Sequence, residues 1–289
     1  MRPFTGTKHQ EADMPTSASR YVLGRSEREY MRLMVQSRLM RPWTERYMRA
    51  AGLRPGDRVL DLGSGVGDVS LLAASIVGPE GSVLGIERDA DAIETARQRV
   101  EAERLSEIVR FEVADVNSLT VTEQFDAVVG RFFLVYQPDP VATVQRAAAL
   151  LRPGGVLVLH EMDAGAVNDM SWPPCPVYND SVSLLFPVFA ATGAHTYMGR
   201  MLAHTFLEAG LERPAVEIDT PVATGPDSPV LDWMARTVQS LEPMLAAEGL
   251  SLPAGVDFDD LLPVWKRTIT EQRAQFVGPS QYGAWARVS

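Results

Sequence analysis

The chain has 289 residues, 46% of them hydrophobic, and carries a formal net charge of −10 at pH 7. Because nucleic-acid affinity depends on neutralising phosphates with Lys and Arg, an acidic chain without a basic block argues against DNA or RNA as a partner. The single cysteine, Cys175, excludes a disulfide framework and a cysteine-rich metal cluster. No apolar stretch has the length of a membrane span, and residues 1–10 lack the apolar core of a secretory signal. We therefore expect a soluble, cytoplasmic protein of enzyme size.

The N-terminal 56 residues are predicted to comprise a flexible segment and a helical lid. Residues 1–20 show little periodicity, whereas Ser26-Glu27-Arg28-Glu29 is a capping box that starts a helix. Apolar residues with helical spacing follow. Pro42 is expected to break or restart this helix, and a second helix would then end near Ala51.

The stretch 59–71 is the most informative part of the chain. An apolar run reaches Asp61, a glycine-rich turn follows, and an apolar-periodic segment begins after Asp68. This pattern predicts a buried parallel strand that leads into a helix through a loop close to a ligand. Glycine at three positions removes the Cβ atoms that would block the approach and permits positive φ angles. The turn consists of Gly63, Ser64, Gly65, Val66 and Gly67.

The residues around this turn favour one ligand over another. A nicotinamide dinucleotide site requires a glycine where this chain has Asp68, and it places a pyrophosphate at the helix N-terminus. Asp61 and Asp68 would repel a pyrophosphate, but they suit a ligand with a positive centre and an amino group. S-adenosylmethionine has a sulfonium, an α-amino group and no phosphate, so it fits better. A nicotinamide-dependent oxidoreductase remains the alternative.

Further strands are predicted downstream of the turn, at residues 82–86, 109–114, 125–130 and 156–161. Glu87 and Arg88 follow the first of these strands, and Asp115 and Val116 follow the second, which ends at Ala114. Ligands of open α/β sheets bind at the carboxyl ends of the strands, where these residues would lie. A carboxylate at the position of Glu87 could accept hydrogen bonds from both ribose hydroxyls.

Residues 162–289 are expected to hold a helical insertion and the last two strands. Helices are predicted near 179–193, 199–209, 225–248 and 259–275, and strands near 216–218 and 281–288. Methionine, phenylalanine and tryptophan in the insertion suggest an apolar pocket for a small molecule. The predicted fold is α/β and Rossmann-like: a doubly wound, mostly parallel seven-stranded sheet with an antiparallel last strand. One structural domain would contain the lid at 1–56, the core at 57–161 and the insertion at 162–289.

The acid-Gly-x-Gly-x-Gly arrangement and the ordered strands at 57–161 resemble the class I S-adenosylmethionine-dependent methyltransferases. The whole chain is similar to actinobacterial-type small-molecule methyltransferases, through Tyr21-Val22-Leu23-Gly24, Gly130-Arg131, the segment 171–176 and the segment 283–286. The resemblance implies S-adenosylmethionine as cofactor, S-adenosylhomocysteine as product, and an apolar, aromatic natural product such as a phenol or an indole as acceptor. Carbon, nitrogen and oxygen remain open as the methylated atom.

The resemblance also implies roles for individual residues. Asp115 would bind the adenine amino group, and Val116 would offer a backbone amide and an apolar face. Tyr21 would close over the cofactor, and Gln36 would lie near its methionine end. The complete predicted cofactor set is Tyr21, Gln36, Asp61, Gly63, Ser64, Gly65, Glu87, Arg88, Ala114, Asp115, Val116 and Arg131.

Methyl transfer needs in-line geometry, and it needs a general base only if the acceptor must lose a proton. The candidate bases are Glu161, His9 and His195. No metal is predicted, because Arg131 occupies the place of the clustered carboxylates that a hard cation requires. A monomer or homodimer is expected. A protein that keeps this fold for ligand binding or cyclisation without methyl transfer is a further alternative.

Overall fold

The computed structural model describes residues 27–119, 124–164 and 170–289, with side chains from residue 31 onwards. His9 and Tyr21, two of the predicted site residues, lie outside the described residues. The strands are β1 (Arg58–Leu62), β2 (Ser82–Glu87), β3 (Val109–Val113), β4 (Phe125–Arg131), β5 (Leu151–Asp163), β6 (Ser171–Trp172), β7 (Ala215–Asp219), β8 (Val222–Ala223), β9 (Gln275–Val277) and β10 (Ser280–Arg287).

Seven strands form one sheet in the order β3-β2-β1-β4-β5-β10-β7. Strands β1 to β5 pair in parallel, and β10 pairs antiparallel with both β5 and β7. This arrangement confirms the predicted doubly wound sheet with an antiparallel last strand. A small second sheet, β6-β9-β8, was not predicted, because its strands are only two or three residues long.

The described helices surround the sheet, and a short 3-10 turn at Leu134–Tyr136 follows β4. None of them is long and apolar enough to cross a membrane. The helices are α1 (Glu27–Ala51), α2 (Asp68–Val77), α3 (Ala90–Ala102), α4 (Pro140–Ala149), α5 (Pro176–Ser183), α6 (Leu185–Ala191), α7 (Met198–Glu208), α8 (Pro229–Ser240), α9 (Glu242–Ala247) and α10 (Leu261–Glu271).

Prolines explain where the observed helices differ from the predicted ones. The predicted helix 179–193 is split between α5 and α6, because Pro187 has no N–H for the preceding turn. Pro243 likewise starts α9, which divides the predicted helix 225–248. The prediction that Pro42 interrupts the lid was wrong, since α1 continues through it. Buried side chains on the following turns, such as Tyr47 and Met48, pack against the protein and compensate for one missing hydrogen bond.

The central strands are buried on both faces, as expected for a parallel sheet covered by helices. Val59 and Ala127 point to one apolar cluster, and their neighbours Leu60 and Val128 point to another on the opposite face. A third cluster fills the insertion around Trp265. Helix α1 packs along α8 and also contacts β5 and β10. The carboxyl ends of β1 to β4 are thus brought under α1 and the insertion.

Candidate active site

The glycine turn after β1 has the backbone geometry that the sequence predicts. Gly63, Gly65 and Gly67 have φ angles of 65°, 51° and 89°, a region that favours glycine. A Cβ on Gly63 would lie 2.7 Å from the ring of Phe133. The turn is closed by a hydrogen bond from the Gly67 N–H to the Ser64 carbonyl at 2.8 Å. Only glycine satisfies both the angle and the space at position 63.

A cavity of about 820 Å³ opens at the carboxyl ends of the strands. It begins at the glycine turn, passes the ends of β2 to β4, and reaches α1, α6 and α8. The structure therefore brings most of the predicted cofactor residues together in one cavity. The predicted residues that line the cavity are Gln36, Gly63, Ser64, Gly65, Glu87, Arg88, Ala114, Asp115, Val116 and Arg131.

Asp61 does not line the cavity but lies buried at the end of β1, with 1% of its surface exposed. Its Oδ2 accepts a hydrogen bond from the Ser70 hydroxyl at 2.6 Å, whereas its Oδ1 has no partner among the described residues. Burial raises the pKa of this carboxyl group to about 7. The Ser64 hydroxyl is also buried and without a partner in the described part of the chain. Such unsatisfied polar atoms are rare in folded proteins and indicate capacity for a ligand or an ordered water.

Glu87 is held by the backbone around it. Its Oε1 accepts hydrogen bonds from the amides of Arg88 at 2.7 Å and Asp89 at 3.1 Å. Its Oε2 accepts a longer bond from the Gly65 amide at 3.3 Å. The carboxylate is therefore oriented before any ligand binds, and Oε2 retains a lone pair for a further donor. Asp115 faces the same wall, with its Oδ2 3.8 Å from Nη1 of Arg88.

A buried cation lies where β4 ends. The side chain of Arg131 is only 6% exposed, and burial lowers the pKa of its guanidinium group. Within the described residues it makes one long hydrogen bond, 3.4 Å to Oγ1 of Thr44, and its Nη2 is 3.8 Å from Asp68. Asp68 is bound more tightly by Arg99, at 2.7 Å. Arg131 thus presents positive charge and unused N–H donors to the cavity.

Gln36 of α1 lies on the same wall as Arg131 and has a defined orientation. Its Oε1 accepts hydrogen bonds from Nη1 of Arg32 at 2.7 Å and from Nε1 of Trp233 at 3.3 Å. Both partners can only donate, so the amide oxygen is assigned without ambiguity. The amide nitrogen is therefore the polar atom that Gln36 can offer to a ligand.

The two described candidate bases have other partners. Oε1 of Glu161 accepts the backbone N–H groups of Phe133 at 2.9 Å and Leu134 at 2.7 Å, and burial raises the pKa of Glu161 to about 8. Nε2 of His195 lies 2.9 Å from the Gln137 carbonyl oxygen. Neither residue lines the cavity. The described geometry therefore does not support either as a catalytic base; Glu161 instead holds the turn that follows β4.

Several side chains that line the cavity were not singled out from the sequence. An apolar wall on α6 and α8 faces the cofactor residues across the cavity. It depends on how the insertion folds back, for which the sequence shows only a general richness in aromatic residues. The wall includes Leu185, Phe186, Phe189, Trp233 and Met234. Among the described residues, no group of three or more His, Cys, Asp and Glu side chains is arranged to hold a metal ion.

Comparisons with known proteins agree with this site. Residues 53–189 match the family described as a methyltransferase domain. A demethylmenaquinone methyltransferase from Lactobacillus johnsonii is 27% identical over 168 residues, covering 56% of this chain and 66% of that protein. The chain spans between 53% and 66% of the length of two curated relatives that it matches.

Solved structures show the same fold at low sequence identity. Phosphoethanolamine N-methyltransferase 2 from Haemonchus contortus, bound to phosphomonomethylethanolamine and S-adenosylhomocysteine, has a TM-score of 0.57 at 16% identity, covering 95% of this chain and 61% of that one. Geranyl diphosphate C-methyltransferase from Streptomyces coelicolor, with Mg²⁺, geranyl diphosphate and S-adenosylhomocysteine, has a TM-score of 0.51 at 17% identity, covering 93% and 88%. The match of residues 53–189 to a methyltransferase domain, the strand order and the glycine turn agree, and the chain has the fold of these methyltransferases.

Proposed function

We propose that this protein transfers a methyl group from S-adenosylmethionine to a small, apolar, aromatic acceptor, such as a phenol- or indole-like natural product. The acceptor atom would be carbon, nitrogen or oxygen, and S-adenosylhomocysteine would be released. The feature that supports this most directly is one cavity of about 820 Å³ that joins the glycine turn to the apolar wall of the insertion. A cofactor and an acceptor could therefore meet in a single cavity.

The wall at the strand ends fits the adenosine part of this cofactor. Glu87 is oriented by three backbone amides, and the remaining lone pair on its Oε2 suits a ribose hydroxyl. Asp115, with Ala114 and Val116 beside it, would receive the adenine ring and its amino group. Arg88 lies between these two acids and would cover one face of the ring. Ser64 lines the cavity, and its buried hydroxyl, which has no partner in the described chain, would share a hydrogen bond at the methionine end.

The opposite end of the cofactor, its methionine carboxylate, is assigned to Arg131 and Gln36. Arg131 is a buried cation whose nearest carboxylate is 3.8 Å away and already pairs with Arg99 at 2.7 Å. An unpaired buried charge is costly, and a ligand carboxylate would satisfy it. The Gln36 amide nitrogen would add a second donor. This combination explains how a chain of net charge −10 could hold a ligand that itself carries a carboxylate.

The acceptor would lie against the insertion. Phe186, Phe189, Trp233 and Met234 line this side of the cavity and offer flat, polarisable surfaces. Their large apolar surfaces favour an apolar ring as acceptor. None of them carries a charge that would bind a polar substrate.

When bound, S-adenosylmethionine would supply a methyl group on an electrophilic sulfonium, open to in-line attack. The protein's contribution is then to align the acceptor and to exclude water. Among the described residues that line the cavity there is no His, Cys or Lys. The groups of the described lining that could accept a proton from a phenol or an indole N–H are therefore its Asp, Glu and Tyr side chains.

Thermal unfolding with excess S-adenosylhomocysteine, run beside NADH, tests the cofactor assignment first. A ligand at about 100 times its Kd adds roughly 2.7 kcal/mol to the free energy of unfolding. S-adenosylhomocysteine should raise the unfolding midpoint, and NADH should leave it unchanged. Stabilisation by NADH alone would contradict the proposal. Transfer of labelled methyl groups to a panel of phenols and indoles would then separate methyl transfer from binding or cyclisation without transfer.

A further inference from the structure

Arg131, which lines the cavity, is hydrogen-bonded to a chain of buried polar side chains that do not line the cavity themselves. His160, on β5, is 1% exposed and is the parallel partner of Arg131 on β4. Its Nδ1 lies 2.9 Å from Oγ1 of Thr44 on α1, and its Nε2 lies 3.2 Å from Oε1 of Gln281 on β10. Neither His160 nor Thr44 lines the cavity. The function proposed above assigns no role to these hydrogen-bonded side chains.

The direction of each hydrogen bond in the chain follows from its ends. The Gln281 side-chain nitrogen donates to the Pro279 carbonyl at 2.7 Å, so the Gln281 oxygen faces His160 and must accept from Nε2–H. A neutral imidazole has one N–H, so Nδ1 is left as an acceptor for the Thr44 hydroxyl. Burial and the nearby Arg131 lower the pKa of His160 to about 3, which agrees with the neutral form.

The last hydrogen bond of this series joins Thr44 to Arg131, which lines the cavity. Nη1 of Arg131 donates to the Thr44 oxygen at 3.4 Å, and the Thr44 hydroxyl also lies 3.0 Å from the Met40 carbonyl. Without His160, that carbonyl would be the remaining described acceptor for the hydroxyl proton. With His160, the hydroxyl proton has Nδ1 as a second acceptor; the oxygen accepts from Arg131 in either case, but donation to Nδ1 aligns the bonds from Arg131 to Gln281 in one direction. Hydrogen bonds aligned in one direction polarise and strengthen one another.

The rings around His160 keep the chain in place. The Tyr47 ring meets it edge-on with centroids 5.1 Å apart, and the Phe132 ring is 5.4 Å away. Because α1, β4, β5 and β10 each contribute one member, the chain also connects the helix that carries Gln36 to the closing strand of the sheet.

We propose that His160 and Thr44 are positioning residues that hold the Arg131 guanidinium towards the carboxylate of the bound cofactor. They act through Arg131 and do not touch the ligand. The inference rests on the proposed function, since it requires that S-adenosylmethionine and its product bind in this cavity.

A double-mutant cycle on ligand affinity tests the inference without knowledge of the acceptor. The dissociation constant of S-adenosylhomocysteine is measured by calorimetry for the wild type, Thr44→Val, Thr44→Ser, Arg131→Met and Thr44→Val with Arg131→Met. Thr44→Val removes the hydroxyl at nearly constant shape, and Thr44→Ser retains it. We expect Thr44→Val to weaken binding about five-fold, Thr44→Ser to restore affinity, and Thr44→Val to have no further effect once Arg131 is methionine.

The second ligand is 5′-methylthioadenosine, which lacks the amino-acid part and should bind all folded variants equally. An equal effect of Thr44→Val in both backgrounds, or on both ligands, would show a general structural role and overturn the inference. Unchanged affinity in Thr44→Val would overturn it as well. Failure of the wild type to bind S-adenosylhomocysteine would instead overturn the proposed function.

A measurement on the wild type covers the case in which a variant does not fold. The chain has four histidines, so ¹⁵N-histidine spectra are simple enough to assign His160. We expect the Nε2–H tautomer between pH 5 and 8 and a shift of the Nδ1 signal when S-adenosylhomocysteine is added but not when 5′-methylthioadenosine is added. The opposite tautomer, or equal shifts with both ligands, would contradict the chain described above.

Discussion

The two walls of the cavity are built in different ways. On the strand-end wall, neighbouring residues in the sequence are neighbours in the site, because each short stretch follows a strand: 63–69, 86–92 and 114–116. On the insertion wall, Phe189 and Trp233 come from helices that meet only through tertiary packing. The first wall is therefore determined locally, and its ligand can be inferred from sequence. The second is determined by long-range packing, so its ligand can differ between proteins that share the first.

Replacing Glu87 with alanine tests the strand-end wall most severely. The change removes the carboxylate that three backbone amides orient and that a ribose hydroxyl is proposed to use. Hydrogen bonds to a charged group contribute about 1.5–3 kcal/mol each, so affinity for S-adenosylhomocysteine should fall about 100-fold. Calorimetric titration measures it. Glu112→Ala, which removes an exposed carboxylate on β3, is the matched control and should bind as the wild type does.

Gly63→Ala should have the next largest effect, and Gly78→Ala is its control. Both glycines have φ near 65°, at 65° and 66°, so alanine should strain the backbone by about 1–3 kcal/mol at either position. Only at Gly63 would the new Cβ meet a neighbour, the Phe133 ring at 2.7 Å; at Gly78 nothing lies within 4 Å. Phe133 lines the cavity and must shift.

The expected result for this pair is a loss of thermal stability in both variants, larger for Gly63→Ala, and an effect on ligand binding in Gly63→Ala alone. Gly63→Ala should weaken S-adenosylhomocysteine about ten-fold, an effect equivalent to roughly 1.4 kcal/mol. Gly78→Ala should leave the affinity unchanged. Equal affinities for the two variants would mean that the glycine turn does not touch the ligand.

If the insertion wall binds the acceptor, a change in this wall should alter which acceptors are methylated and leave cofactor affinity intact. Phe189→Ala should leave the affinity for S-adenosylhomocysteine within about two-fold of the wild type, because the ring faces the cofactor residues across the cavity. The same variant should change which phenols and indoles accept labelled methyl groups. Leu207→Ala, at a 43%-exposed position on α7 outside the cavity, should alter neither property. A Phe189 variant that lost cofactor affinity but kept its acceptor profile would reverse the assignment of the two walls.

The same contrast explains what could be predicted from sequence. Gly63, Glu87 and Asp115 were found because a glycine pattern and strand-end acids are local signals, and the observed strand order brings them to one wall. The prediction from Pro42 was wrong because the packing of α1 outweighs the tendency of proline to end a helix. Thr44 could not be connected to His160, since 116 residues separate them and neither lies in a motif.

Glu161 shows a different limit of prediction from sequence. Strand β5 is buried on both faces along most of its length, so its sequence lacks the alternation that would reveal where each side chain points. The sequence therefore places the acid near the carboxyl end of β5 but does not show that its side chain accepts from the amides after β4. Its carboxyl group accepts hydrogen bonds from the amides of Phe133 and Leu134 and so fixes the turn that follows β4.

The last prediction concerns the pH dependence of stability that this buried acid creates. The pKa of Glu161 is raised by burial from 4.5 to about 8 in the folded protein, so between these values the folded state retains a proton that the unfolded state has lost. The free energy of unfolding should therefore fall as pH rises from about 5 to 8, by up to roughly 1.4 kcal/mol per pH unit for one proton. Asp61, with a pKa of about 7, contributes in the same direction at lower pH.

Glu161→Gln should remove the contribution of Glu161 and leave that of Asp61. The glutamine oxygen can accept the same two backbone hydrogen bonds, since Oε1 receives both and Oε2 has no partner among the described residues. Urea unfolding at pH 5.5, 6.5 and 7.5 should give a shallower decline in the variant, with the greatest relative gain at pH 7.5. Glu80→Gln, at an exposed position, should keep the wild-type slope. Parallel slopes for Glu161→Gln and the wild type would mean that Glu161 is ionised in the folded protein, and its two amide contacts would then act as a charged anchor for the turn after β4.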